Sequence, residues 1–145
     1  MIQLPKKLFY ALEAVLYIAY NGAHTCVSSK EIAQKQNMPP RYLEQIMQRL
    51  VREGVLKGVR GPNGGYLLAR EKRRITLADI AKAVGEEEDI PSSTPLGDKV
   101  ILPVVKSLQQ HIAEQMAEIT INDLYQQAGT LNIRKASDER NDFEI

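Results

Sequence analysis

The chain has 145 residues, one domain's worth at about 100–200 residues each, and its 43% apolar and 26% charged residues fit a globular protein with a real core. No run approaches the roughly 18 apolar residues of a membrane span. The start Met1-Ile2-Gln3-Leu4-Pro5 lacks a secretory leader's apolar core, and the lone Cys26 excludes both an internal disulfide and a cluster held mainly by this chain's thiolates, so a cytoplasmic protein is expected. The net charge of +1 conceals a division: residues 1–74 hold thirteen Lys/Arg against five Asp/Glu, and residues 75–145 hold six against thirteen. A basic half suited to a polyanion precedes an acidic half with another task.

In chain order, Leu4, Leu8, Ala11, Leu12, Val15, Leu16 and Ala19 form a 3.6-residue stripe, and Asn21-Gly22 ends that helix. Ser28-Ser29-Lys30-Glu31 reads as a capping box, with the Ser28 hydroxyl on the Glu31 amide and the Glu31 carboxylate reaching back. The short helix it starts runs to about Gln36. After the turn Asn37-Met38-Pro39-Pro40, a third helix carries Leu43, Ile46, Met47, Leu50 and Val51 on one face and stops at Gly54. The period then changes. Val55–Arg60 and Tyr66–Ala69 are β-prone runs around Gly61-Pro62-Asn63-Gly64-Gly65, a turn expected to use positive φ at Gly64 or Gly65.

Thr76-Leu77-Ala78-Asp79 caps a fourth helix that buries Ile80, Ala81 and Val84 and ends at Gly85. Glu86–Gly97 is acidic, then Pro/Ser-rich, and is expected to be a mobile loop. Ile101, Val105, Leu108, Ile112, Gln115 and Ile119 follow at heptad spacing, with Pro103 tolerable only in a first turn. A last short helix begins at Thr120 and ends at Gly129, and the polar tail from Arg134 is expected to fray. The implied organisation is a winged helix-turn-helix over 1–74, a helix and acidic linker over 75–97, a dimerisation helix and short terminal helix over 98–133, and a tail over 134–145. The fold class is mainly α with a small β-hairpin wing.

Catalytic motifs are absent: there is no metalloprotease His pair, no nucleophile elbow and no phosphate loop, because the glycine-rich turn joins strand to strand. His24 and His111 stand alone. In a helix-turn-helix the second helix meets base edges with its amino-terminal residues. Here that helix starts Pro40-Arg41-Tyr42-Leu43-Glu44-Gln45. With Leu43, Ile46 and Met47 facing the core, Arg41, Glu44, Gln45 and Gln48 lie on outer faces. Arg suits guanine, Gln adenine, and Glu the cytosine amino group. Arg41 fits a phosphate equally well, Glu44 a surface ion pair, and Tyr42 simple packing. Lys57 and Arg60 flank a turn, with Asn63 and Gly64 at its tip, that suits a minor groove. Ser28 caps a helix whose free amides suit a phosphate.

Tyr42-Leu43-Glu44-Gln45-Ile46, Gly54-Val55-Leu56 and Val59-Arg60-Gly61-Pro62-Asn63-Gly64-Gly65-Tyr66-Leu67-Leu68-Ala69 resemble the Rrf-two family of bacterial transcription regulators. Lys6–Leu12, Lys30–Ala33, Ile75–Ile80 and Ile119–Leu124 fall in that family's order, so the resemblance spans about residues 3–128. It implies a homodimer with the long helix crossing its partner, and roles at DNA for Glu44, Gln45 and Arg60. Many members hold an iron–sulfur cluster with three cysteines before the dimer helix. Residues 85–99 contain none, and Leu102 stands where one subgroup has a histidine. Pro39-Pro40-Arg41 replaces a commonly Ser- or Thr-containing opening.

The sequence therefore points to a cluster-free, homodimeric, DNA-binding regulator without a cofactor, a repressor because occupancy alone represses. Ser28, Arg41, Tyr42, Glu44, Gln45, Arg60, Asn63 and Gly64 are its DNA-facing residues. Ile101, Val105, Leu108, Ile112 and Ile119 are its dimer seam. The alternative is a winged-helix module that docks an enzyme or regulator and binds DNA weakly. In cluster-free members, protein partners, thiol oxidation or small molecules serve as signals. Cys26 reads either as a sensor thiol or as a small inert loop residue.

Overall fold

The computed structural model describes residues 3–22, 25–86 and 93–138. The chain forms α1 (Lys6–Asn21), α2 (Ser29–Lys35), α3 (Pro40–Arg52), β1 (Leu56–Val59), β2 (Gly65–Leu68), a 3-10 turn (Lys72–Arg74), α4 (Leu77–Val84), α5 (Leu102–Glu118) and α6 (Ile121–Thr130). Helix–helix–helix–hairpin is the winged order expected. The strands pair antiparallel in the register Leu56↔Leu68, Lys57↔Leu67, Gly58↔Tyr66, Val59↔Gly65.

One core joins these elements. Ala11, Ala14, Val15 and Ile18 of α1 pack with Ile32, Leu43, Ile46, Met47 and Leu50, and also with Ile75, Ile80 and Ile121 from the second half. Side-chain bonds seal the seams. Tyr17 Oη donates to Glu31 Oε2 at 2.9 Å, and Arg49 donates to the Val84 carbonyl at 3.0 Å, satisfying the open end of α4. Thr76 with Asp79 and Thr120 with Asp123 form two full capping boxes. The two caps also pair as an antiparallel bridge, Leu77 N–H to the Ile119 carbonyl at 2.9 Å and Ile121 N–H to the Ile75 carbonyl at 2.8 Å.

Several details differ from the sequence reading. The Ser28 hydroxyl accepts the Glu31 amide at 3.1 Å, but the Glu31 carboxylate is engaged by Tyr17. Val51 is exposed, and Ala83 replaces Ala81 as the buried alanine of α4. Positive φ falls at Gly54 and Gly61, not at Gly64 or Gly65. Gly64 and Gly65 are required by space instead. A Cβ on Gly64 would run into the Val59 carbonyl oxygen, and one on Gly65 would sit 2.5 Å from the Val27 carbonyl oxygen.

Helical backbone already begins at Pro95, passes through a π turn at Gly97–Ile101 and continues into α5, so Pro103 is not in a first turn. A proline ring clashes with the carbonyl four residues back and offers no N–H, and the widened turn just before it relieves both faults. Residues 87–92 of the acidic loop, and His24, lie outside the described residues. Ile119 sits just beyond the end of α5 in extended backbone. The described tail is not frayed, because Tyr20 Oη donates to the Ile133 carbonyl and Ala136 N–H to Asn21 Oδ1 at 2.7 Å, strapping it over the end of α1. Among the described residues no helix is long and apolar enough to cross a membrane.

Candidate nucleic-acid interface

Pro40 at the head of α3 sets the first helical φ and lacks an N–H that would have gone unbonded there. Arg41, Gln45 and Gln48 follow on its exposed side, while Leu43, Ile46 and Met47 are buried. Tyr42 is half-buried and packs edge-on against Tyr10 of α1, ring centres 5.7 Å apart. Its role in packing is therefore visible.

Glu44 is the centre of a network that sequence reasoning missed. Its carboxylate accepts Ser29 Oγ at 2.9 Å and Tyr66 Oη at 3.2 Å, so one side chain of α3 ties together α2 and the wing strand β2. The Tyr66 phenol is pushed above its usual pKa, first by burial and then by the charge and hydrogen bond of Glu44, and remains a donor at neutral pH. Behind it, Val27 and Tyr66 exchange both backbone bonds, at 3.0 and 2.8 Å, adding a one-residue third strand to the hairpin. Cys26 Sγ donates to the Asn63 carbonyl at 2.9 Å, which anchors the wing tip to the same segment. Gly64 N–H closes the tip onto the Gly61 carbonyl at 2.9 Å.

The DNA-facing candidates thus fall into two groups. Ser28, Glu44, Asn63 and Gly64 are drawn into the joint between α2, α3 and the wing. Arg41, Gln45 and Arg60 stand exposed, and among the described residues neither Arg41, Arg60 nor Lys57 makes an ion pair, so their charges face solvent. A signal for the joint was present: the hairpin register sets Tyr66 opposite Gly58, where no side chain competes with the ring.

The seam residues also have definite places. Ile101 (59% exposed) at the end of the π turn and Leu108 (58%) and Ile112 (45%) of α5 lie bare, and Val105 is half-buried. Val104 (56%) joins this face and was not in the heptad assignment; α5 buries none of its residues. His111 Nδ1 lies 2.7 Å from the Ser107 carbonyl, a bond within its own helix.

The family model for Rrf2, described as "Iron-dependent Transcriptional regulator", matches residues 4–127. The chain is 31% identical to the HTH-type transcriptional regulator IscR of Xenorhabdus nematophila, over 96% of this chain and 90% of that protein. It is 34% identical to the putative HTH-type transcriptional regulator slr0846 of Synechocystis, over 88% and 90%. Among solved structures it resembles T. potens IscR (TM-score 0.75, 29% identity, 95% of this chain and 96% of that one). It also resembles CymR, the global cysteine regulator of B. subtilis (TM-score 0.64, 27%, 87% and 98%). Iron–sulfur ligation calls for several thiolates. This chain has one cysteine, whose thiol is turned to a backbone carbonyl, and among the described residues no group of His, Cys, Asp and Glu is placed to hold a metal, so the donor set does not fit such a cluster. In fold, length and the order of its motifs the chain belongs to the Rrf2 family of winged-helix transcriptional regulators.

Proposed function

We propose that this regulator binds a two-fold symmetric operator as a homodimer, without an iron–sulfur cluster, and represses by occupying a promoter. The observation that carries the reading is the exposed start of α3, with Arg41 and Gln45 open to solvent, locked through Glu44 to a wing that presents Arg60. Arg41 and Gln45 read base edges in a major groove, and Arg60 enters the flanking minor groove. Glu44 accepts from a base with the lone pairs that its two hydroxyl partners leave free. Ser28, Tyr42, Asn63 and Gly64 set the backbone of the joint against phosphates. The apolar face of α5 meets its copy in the second subunit, which spaces the two reading heads. A cytoplasmic location follows from that role.

Fragments of the source genome selected by the purified protein supply the operator, and substitutions are then compared on a panel of its variants. Gln45→Ala changes preference at one or two base pairs, by about 1–3 kcal/mol of discrimination. Lys57→Ala weakens all sequences alike and lowers the salt slope by about one phosphate contact. Arg60→Ala weakens most the sites with a narrow A·T-rich minor groove. Uniform small losses for all three would refute this placement. Binding that competitor DNA abolishes would favour the other reading, a module that docks a protein.

A further inference from the structure

An open cleft of about 1260 Å³ lies between the end of α1, strand β2, the link after the wing, α6 and the tail strap. Its acidic groups are occupied: Glu71 accepts Arg73 at 2.7 Å, and Glu31 accepts Tyr17 at 2.9 Å. Arg70 faces Asp79 at 3.6 Å. Lys72 and Lys135 remain, with no carboxylate in ion-pair range among the described residues. Both are held on one ring: Lys72 Nζ lies 4.1 Å from the centre of Tyr125, and Lys135 Nζ donates to the Tyr125 hydroxyl at 3.2 Å and lies 5.3 Å from the same centre. That hydroxyl raises the Lys135 pKa above the usual lysine value, so the ammonium persists. The lining as a whole carries four Lys/Arg against two Glu, and that excess of positive charge attracts an anion.

The rest of the cleft narrows the class of anion. A phosphate site is typically a cradle of free backbone amides, but at the opening of α6 the amides of Ile121 and Asp123 are already bonded, to the Ile75 carbonyl and to Thr120 Oγ1. The other lining is mixed: Asn21, Thr25, Asn122 and Ser137 are polar, and Val27, Leu67 and Leu68 supply an apolar strip. We propose that this cleft binds a small organic carboxylate, its acid group between Lys72 and Lys135 and its body against Val27 and Leu68. Those two apolar residues belong to the bridge and strand that carry the wing, so occupancy adjusts the wing. This regulatory consequence rests on the DNA-binding reading above, whereas the site itself does not.

The test is an amide and side-chain chemical-shift map of the full chain titrated with benzoate and, separately, with inorganic phosphate. Saturable benzoate shifts are expected at Leu68, Asn122 and Tyr125. Lys72→Gln with Lys135→Gln weakens them at least about tenfold, and Lys72→Arg with Lys135→Arg keeps them. Shifts that do not saturate below about 10 mM, that phosphate reproduces equally, or that survive the double Gln change overturn the proposal. Should the double Gln variant not fold, the wild-type map decides alone: shifts centred elsewhere, such as on α5, refute the site. Loss of any benzoate effect on operator affinity, with the cleft shifts intact, refutes only the coupling to the wing.

Discussion

Replacing Tyr66 with Phe deletes one hydroxyl and keeps the ring, so it isolates the link between wing and reading helix. The bond lost is 3.2 Å long, donated to a carboxylate that still accepts Ser29 at 2.9 Å. Hydrogen bonds to charged groups contribute about 1.5–3 kcal/mol, but here donor and acceptor are half-buried and water replaces part of the interaction, so about 1 kcal/mol is expected. In a chain of this size that lowers Tm by roughly 3–4 °C. Urea unfolding of wild type, Tyr66→Phe, Glu44→Gln and the double variant forms a cycle whose coupling should be about 0.5–1.5 kcal/mol. pH supplies a second signature. The phenol's folded pKa lies above its ordinary value of about 10, so the unfolded chain loses this proton first as pH rises. The wild type's advantage over Tyr66→Phe is therefore whole below pH 10 and shrinks as pH climbs through the folded pKa. Additive single effects, or an advantage indifferent to pH above about 10, would refute the link.

Leu108→Asp or Ile112→Asp places a charge on the bare face of α5 while touching nothing in the core; both should sediment as monomers, with operator binding lost, and a wild type that is itself monomeric at micromolar concentration removes the dimer. Gly65→Ala drives a methyl into the Val27 carbonyl and should destabilise by about 1–3 kcal/mol in urea titration, whereas a neutral result would mean that the Val27–Tyr66 bridge yields freely. Protein purified without oxygen should show neither visible cluster absorbance nor stoichiometric iron; iron that controls operator affinity would overturn the cluster-free reading.

The helices and the hairpin were legible because each obeys a local rule. Thr76 and Thr120 announce their helices three residues ahead of Asp79 and Asp123, and Gly54 ends α3 in the left-handed conformation that glycine tolerates best. What stayed hidden depends on distant partners. Glu44 looks like a solvated helix residue until folding brings Tyr66 to it across 22 positions. The role of the wing glycines was misplaced for the same reason, since the backbone that crowds Gly65 belongs to Val27. The docked tail rests on Tyr20 and Asn21, more than 110 positions away, beyond the reach of any periodicity. The heptad count missed Val104, which lies three residues after Ile101 and four before Leu108 and so flanks the strict heptad seam.

The paired caps at Thr76 and Thr120 act as a mechanical joint. α5 is bare over most of its length, but the chain leaving it is pinned at Ile119 to the amide of Leu77, just after the link from the wing. A lever held at one end delivers its swing at the pivot. Here the pivot touches Ile75, buried in the core and only seven residues beyond the end of β2 at Leu68. In the proposed homodimer, any change in the angle at which the two α5 helices cross would be a torque on the stems of both wings. The distance between the reading heads of such a dimer and the tilt of each would then be one mechanical variable rather than two.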